Sequence, residues 1–366
     1  MKKIEDIVQA AKDNRASDVH IACGMPAMFR IDGRLQKLDD DVLAFEDCEA
    51  IGQRLGGEKF SQIRDGGELD LSETIGTSRC RINLYRTKGT CSVALRVLAD
   101  QIPDLASLGL PKAVNDFSSY GKGIVLVTGE TGSGKSTTLA AILNEINKTK
   151  QDHIITLEDP IEYIYEPIQS VISQREIGKD TQNYATGLRA ILREDPNVIL
   201  VGEMRDPETI ETALTAAETG HLVFATLHTN SAVDSVDRIV GTFPAEKQAQ
   251  VRMQLASTLK AVLSQQLLVK KGGKGRVAAC ECMIVTPAIK NQITEGNTSQ
   301  MQSSMLASAN LGSITMDNCL IDLANRGVID VALAVEKATN QDYVKQSLGF
   351  RKSNGFDVRR MANANI

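Results

Sequence analysis

The sequence predicts an α/β chain of two modules: an α+β module of about a hundred residues, then a larger one built on a mostly parallel sheet. Three observations predict it. The stretch Gly129-Glu130-Thr131-Gly132-Ser133-Gly134-Lys135-Ser136 follows an apolar run, Ile124 to Val127, and opens a helix expected from Thr137 to Asn147. That order is strand, phosphate loop, helix. Beyond it, apolar strands alternate with helices, the pattern of a parallel sheet covered on both faces. Ahead of it, short alternating runs follow one amphipathic helix.

The 366 residues fit two domains of ordinary size. A net charge of -5 with 24% charged residues argues against a nucleic-acid binder, and no apolar run is long enough to span a bilayer. Met1-Lys2-Lys3 leads into a polar amphipathic segment rather than a signal-peptide core, so a cytoplasmic location is expected. The cysteines, at 23, 48, 80, 91, 280, 282 and 319, include no C-x-x-C pair. This speaks for reduced thiols rather than a disulfide framework or a zinc site. Cys280 and Cys282 are expected in a buried strand, Val277 to Val285.

Taken in order, Ile4, Ile7, Val8 and Ala11 share one helical face. Strands are expected at Asp18 to Ile21 and Met28 to Ile31, with Asp32-Gly33 turning the chain into Arg34-Leu35. A helical segment near 46–64 precedes three alternating runs, Glu68 to Ser72, Cys80 to Tyr85 and Cys91 to Val97. Arg79, Arg81, Arg86 and Arg96 lie around the last two runs. Their spacing alone favours a solvated sheet face over arginine fingers for a phosphate bound by a neighbouring copy. Two prolines without periodicity mark a linker at 100–112, able to serve as a hinge or as a stiff spacer.

In the second module, His153 to Leu157 leads to Glu158-Asp159-Pro160. A helix over 181–194 leads to Val198 to Val201 and Gly202-Glu203, and a helix near 207–219 to Leu222 to Leu227 and His228. The remainder reads as mostly helical, with Val251, Leu255, Leu259 and Val262-Leu263 on one stripe. Residues 350–366 are expected to form a mobile tail.

The loop's chemistry follows from its residues. Gly129, Gly132 and Gly134 let backbone N–H groups turn inward around an anion, and Thr131, Ser133 and Thr137 complete the candidate nucleotide contacts. Lys135 is placed to reach β- and γ-phosphates and Ser136 to ligate Mg²⁺. Three strands end in polar residues at the edge that carries Lys135, which supports hydrolysis over binding alone. Glu203, one glycine beyond a buried strand and with no cation expected to neutralise it, is the candidate for orienting and deprotonating water. No aspartate stands where a Walker B strand usually ends, so Glu158 or Asp159 takes part of the magnesium work through water. His221 and His228, singly, are as readily structural as functional. Beside the expected γ-phosphate they read as nucleotide-state sensors.

Four ordered motifs carry a resemblance: Thr128 to Thr138, Thr156-Leu157-Glu158-Asp159-Pro160-Ile161-Glu162, Leu192 to Pro207, and Glu218 to Thr229. They resemble the Walker A, Asp box, atypical Walker B and His box of the hexameric secretion ATPases, most closely their type IV pilus retraction branch. The resemblance runs from Ala16 to Leu348. It implies a PAS-like α+β N-terminal domain over 1–99, a linker over 100–112, and a RecA-like P-loop ATPase domain with C-terminal helices over 113–349. It also implies a homohexameric ring with ATP between subunits and Mg²⁺ as cofactor. Glu203 would be the catalytic base, Glu158 an Asp-box carboxylate, and His221 and His228 the His-box residues. Arg81 and Arg96, more than Arg79 and Arg86, fall where the family supplies cations that close on the nucleotide. Implied partners are an inner-membrane pilus platform protein and a paralogous pilus ATPase, at the cytoplasmic face of the inner membrane.

Assembly-type members resemble longer chains with an extra N-terminal domain and a four-cysteine zinc insertion. Here Lys270-Lys271-Gly272-Gly273-Lys274 occupies the insertion region without cysteines, which favours retraction. The retraction branch's A-I-R-N-L-I-R-E reads Ala288-Ile289-Lys290-Asn291-Gln292-Ile293-Thr294-Glu295 in this chain. Lysine keeps the charge without the planar fork, and Gln292 replaces an apolar contact. The expected function is a motor that couples ATP hydrolysis to pilus retraction. The alternatives are an assembly, competence or type IV secretion ATPase, and a nucleotide-gated accessory ring subunit with little turnover.

Overall fold

The computed structural model describes residues 3–31, 33–63, 66–98 and 101–349. The expected tail at 350–366 and Asp32 of the expected turn lie outside the described residues.

Helix α1 (Ile4–Asp13) forms because Ile4, Ile7, Val8 and Ala11 fall on one face, and all four are buried. Strands β1 (Asp18–Ile21), β2 (Met28–Ile31) and β3 (Arg34–Lys37) precede α2 (Phe45–Gly56), which a 3-10 turn continues over Gly57–Ile63. Next come β4 (Leu69–Ile75), β5 (Ser78–Thr87) and β6 (Thr90–Val97). Two 3-10 turns, Leu105–Leu108 and Lys112–Ser119, lead to β7 (Gly123–Thr128) and α3 (Lys135–Thr149). Then follow β8 (His153–Glu158), β9 (Val171–Glu176), α4 (Tyr184–Ile191), β10 (Val198–Val201), α5 (Pro207–Glu218) and β11 (Leu222–Leu227). The chain continues with α6 (Ala232–Gly241), α7 (Ala245–Thr258), β12 (Leu259–Val269), β13 (Arg276–Ile284) and α8 (Pro287–Glu295). Helices α9 (Met301–Ala307), α10 (Met316–Asn325), α11 (Val331–Lys337) and α12 (Gln341–Ser347) complete it.

The chain divides into two compact units, Met1–Pro103 with Asn147–Gly187, and Asp104–Ile146 with Leu188–Ile366. The first unit holds a six-stranded antiparallel sheet in the order β3-β2-β1-β6-β5-β4. Alternation assigns its faces: Ile82, Leu84 and Leu95 join Ile7 of α1 and Ile51 of α2 in the core, while Arg81 and Arg96 stand on the other face. In the same unit β8 and β9 pair in parallel.

In the second unit the strands lie in the order β13-β12-β7-β11-β10, parallel apart from the β12–β13 hairpin. Register aligns one edge: Leu227 pairs with Thr128, Thr128 with Ser264, and Val201 with Ala225. The helical stripe expected to run through Leu259 and Val262-Leu263 breaks at Leu259, where the backbone becomes extended (φ -64°, ψ 127°). Val251 and Leu255 stay on α7, but the rest belongs to β12, largely buried between β7 and β13. A strand covered on both faces loses its alternation, and its apolar run then mimics a helical stripe.

Cys280 and Cys282 are buried on β13, as expected, and burial pushes the Cys282 thiol up to about 12. Between them the buried Glu281 accepts the N–H of Ala232 at 2.7 Å and of Met316 at 3.3 Å. One carboxylate thus closes the first turns of both α6 and α10.

Candidate functional site

In the second unit, strand ends assemble the site. After Thr128 the loop takes φ of 138° at Gly129, 81° at Gly132 and 93° at Gly134, where side chains are disfavoured. Space excludes side chains too. A Cβ on Gly129 would lie 2.2 Å from the Gln265 carbonyl, and one on Gly134 2.9 Å from Gln265 Nε2. Lys135 is buried, and its Nζ donates to the carbonyls of Gly129 (2.7 Å) and Glu130 (2.9 Å). Ser133 Oγ is buried without a hydrogen-bond partner among the described residues.

Ser136 and Thr137 lie in the first turn of α3, where free N–H groups and the helix dipole favour an anion. Thr131, beside Gly132, is exposed on the loop. A glycine cradle, a lysine, an unsatisfied hydroxyl and a helix N-terminus fit nucleotide phosphates. The Ser136 hydroxyl is a hard oxygen donor of the kind Mg²⁺ accepts alongside phosphate and water. A cavity of about 190 Å³ adjoins the loop, lined in part by Leu108, Leu110, Thr137, Leu267 and Arg276.

Glu203 follows β10, held by β11: the Thr226 hydroxyl donates to the Gly202 carbonyl, and the Thr226 carbonyl accepts the Met204 N–H at 3.1 Å. The expectation of no neighbouring cation fails here. Arg205 Nε lies 2.6 Å from one carboxylate oxygen and His228 Nε2 3.4 Å from the other. The chain is neither helix nor strand at 203–205, so residues two apart can converge. Partial burial pushes the carboxyl up, but Arg205 and His228 outweigh it and hold it below its ordinary value.

His228 and Glu203 therefore meet. His221 does not join them. It precedes β11, where its carbonyl accepts the Gly123 N–H at 3.0 Å and its Nδ1 lies 2.9 Å from the Ala216 carbonyl. A six-residue strand separates the histidines, putting them about 20 Å apart at opposite edges. The expected place of His221 beside the γ-phosphate is thus corrected within this chain.

In the first unit, the half-buried Glu158 ends β8. Burial pushes its carboxyl up to about 7, partly offset by hydrogen bonds from Thr156 Oγ1 (2.6 Å) and Gln174 Nε2 (3.2 Å). Arg81 and Arg96 pair across β5 and β6, and both are exposed. Arg96 Nε meets Asp18 at 3.0 Å, whereas Arg81 has no ion pair among the described residues. Both line a cavity of about 260 Å³ with Asp18, His20, Asp70 and Asn83. Arg79 and Arg86 are engaged elsewhere. Arg79 donates to Glu176 at 2.5 Å and to the Ile161 carbonyl at 3.2 Å, and Arg86 grips both oxygens of Glu49 at 2.9 and 3.2 Å. Arg205 lies within the Leu192 to Pro207 motif without a role assigned from sequence, and Gln265 lies outside every motif. The turn after β10 and the β7–β12 register reveal what they touch.

The family model described as "Type II/IV secretion system protein" matches residues 1–305. The chain is 44% identical to the type IV pilus retraction ATPase PilT of Pseudomonas aeruginosa, over 92% of this chain and 98% of that protein. It is 42% identical to a twitching motility protein of Neisseria gonorrhoeae, over 86% of this chain and 85% of that one. Among solved structures it resembles a crystal structure of the pilus retraction motor PilT with bound ADP. There the TM-score is 0.88 at 43% identity, with 94% of this chain and 100% of that chain covered. The expected α/β architecture, an N-terminal domain with a RecA-like ATPase domain, is that of the matched motor. By its matched span and by these identities, the chain belongs to the type II/IV secretion system protein family.

Proposed function

We propose that the chain is a Mg²⁺-dependent ATP hydrolase whose homohexameric ring drives type IV pilus retraction. The observation that carries the reading is the convergence of the glycine cradle, Lys135, Glu203 and His228 at one edge of the second unit's sheet. The likeness to PilT, over nearly the whole chain, names the cargo.

On this reading the loop amides and Lys135 bind the phosphates, and the cavity beside Thr137, lined by both apolar and polar side chains, takes the base and ribose. Mg²⁺, when bound, neutralises developing charge on the phosphates. Ser136 would hold it by its hydroxyl, and Glu158 would take part of the magnesium work through water, because no aspartate stands where a Walker B strand usually ends. Glu203 orients the attacking water. Its lowered basicity suits a proton taken late, once the new bond makes the water acidic. His228, 3.4 Å from Glu203, senses whether that geometry is occupied. Arg81 and Arg96 supply charge across a subunit boundary, with residues 100–112 as the hinge. The ring would act on a platform protein at the cytoplasmic face of the inner membrane, with a paralogous pilus ATPase as a further partner. Among the described residues no helix is long and apolar enough to cross a membrane.

ATP turnover per protomer against protein concentration tests this. Specific activity that rises steeply and then saturates supports a ring whose sites are completed by neighbours. Constant turnover down to monomer concentrations sinks the trans arginines, and negligible turnover with ATP bound favours the accessory-subunit alternative. Restored twitching in a retraction-deficient strain tests the cargo.

A further inference from the structure

We propose that Gln265 is a positioning residue that sets the phosphate loop in its anion-binding form, an inference that rests on the ATPase reading. Gln265 lies on β12, one residue beyond Ser264, which pairs with Thr128 and shares a hydroxyl–hydroxyl hydrogen bond of 2.7 Å with it. Register therefore carries it directly beneath the loop. Its side chain is buried and bonded at both ends: Nε2 donates to the Ser133 carbonyl at 2.7 Å, and Oε1 accepts from Thr138 Oγ1 at 3.0 Å.

The first bond has a directional consequence. In a trans peptide the C=O and the following N–H point in opposite directions. Pinning the Ser133 carbonyl onto β12 aims the Gly134 N–H away from Gln265, into the cradle. The second bond ties the same carboxamide to the first turn of α3, so loop and helix N-terminus are fixed to each other through a strand that neither belongs to.

Glycine is needed at both ends for the same reason. The Gln265 backbone carbonyl occupies the space a Cβ on Gly129 would fill, and its Nε2 the space beside Gly134. A carboxamide supplies one donor and one acceptor in this order. Glutamate would set an oxygen against the Ser133 carbonyl, and leucine would leave that carbonyl and the Thr138 hydroxyl unpaired in the interior.

The test compares wild type, Gln265→Leu and Thr138→Val by calorimetric binding of ADP, by ATP turnover and by melting without nucleotide. Leucine keeps the volume and removes both bonds. Kd for ADP and KM for ATP are expected to rise about tenfold, with kcat changed less. A residue that merely fills space would lower the melting temperature and leave Kd alone. Gln265→Leu with Kd and KM within twofold of wild type overturns the proposal. Should that variant not fold, Thr138→Val decides, since it frees one end of the carboxamide without loss of volume. ADP binding weakened about threefold or more supports the role, and unchanged binding overturns it. Wild type that bound no nucleotide would sink the ATPase reading itself, whereas equal binding by wild type and Gln265→Leu sinks only this inference.

Discussion

Arg205 and His228 hold Glu203 below its ordinary basicity from opposite sides. Arg205→Ala removes the stronger contact, so the carboxyl rises and the acid limb of the ATP turnover profile moves to higher pH. An unmoved limb in a pH–rate measurement would detach Arg205 from the base. A second buried carboxylate governs stability. Glu176 is pushed up by burial but lowered on balance by Lys179, Ser72 and the Ile161 N–H, and it also pairs with Arg79. Its folded pKa lies below its ordinary value, so this stabilisation is whole above the ordinary value near 4.5 and drains away as pH falls through the folded one. Glu176→Gln should cost about 3 kcal/mol at pH 7, by leaving Arg79 uncompensated, and flatten the acid side of the stability curve. Denaturant titration at several pH values checks both. Lys135, Ser136 and Glu203 are legible in the sequence because a motif or a strand end fixes each one locally. Arg205 and Gln265 are not, because their roles depend on turns and strand order. His221 misleads for a related reason: nearness in sequence to His228 becomes separation when a strand lies between them.

At the level of elements, α8 carries the departures from the retraction motif. Ile289 and Ile293 anchor it to the core. Gln292 donates to Ser304 Oγ at 2.9 Å, while its Oε1 is buried with no partner among the described residues. Gln292→Leu exchanges a half-satisfied amide for an apolar contact, and stability should rise by about 1 kcal/mol. A fall in melting temperature would show that the Ser304 bond outweighs the stranded oxygen. Periodicity read the amphipathic α1 and the apolar β7, β10 and β11 correctly, since each buries one stripe or sits wholly inside a parallel sheet. It failed at β12, whose buried apolar run follows α7 with no intervening turn and so continues the helical stripe. It gave no sign of β9, whose VISQRE is too polar to announce a strand.

For the whole assembly, the decisive question is whether one chain completes a site. Glu203→Gln and Arg81→Ala should each be nearly inactive as uniform rings. If Arg81 acts on a neighbour's nucleotide, mixing the two inactive proteins regenerates some junctions with both groups intact, and turnover reappears. No recovery after verified subunit exchange would place Arg81 in its own chain's site. The sequence carries the chemical class, because the phosphate loop is one run of neighbouring residues. It does not show that Asn147–Gly187, expected within the ATPase domain at 113–349, groups with the N-terminal unit, since that grouping rests on contacts distant in sequence.

The Glu281 carboxylate belongs to this larger scale as well. It grips the first turns of α6, just past the segment that carries His228, and of α10, in the C-terminal helical layer. Swinging either helix off would strand part of a charge in a dry interior, and burial has already pushed that carboxyl up. Moving one helix away from Glu281 therefore carries a cost that moving the two together does not.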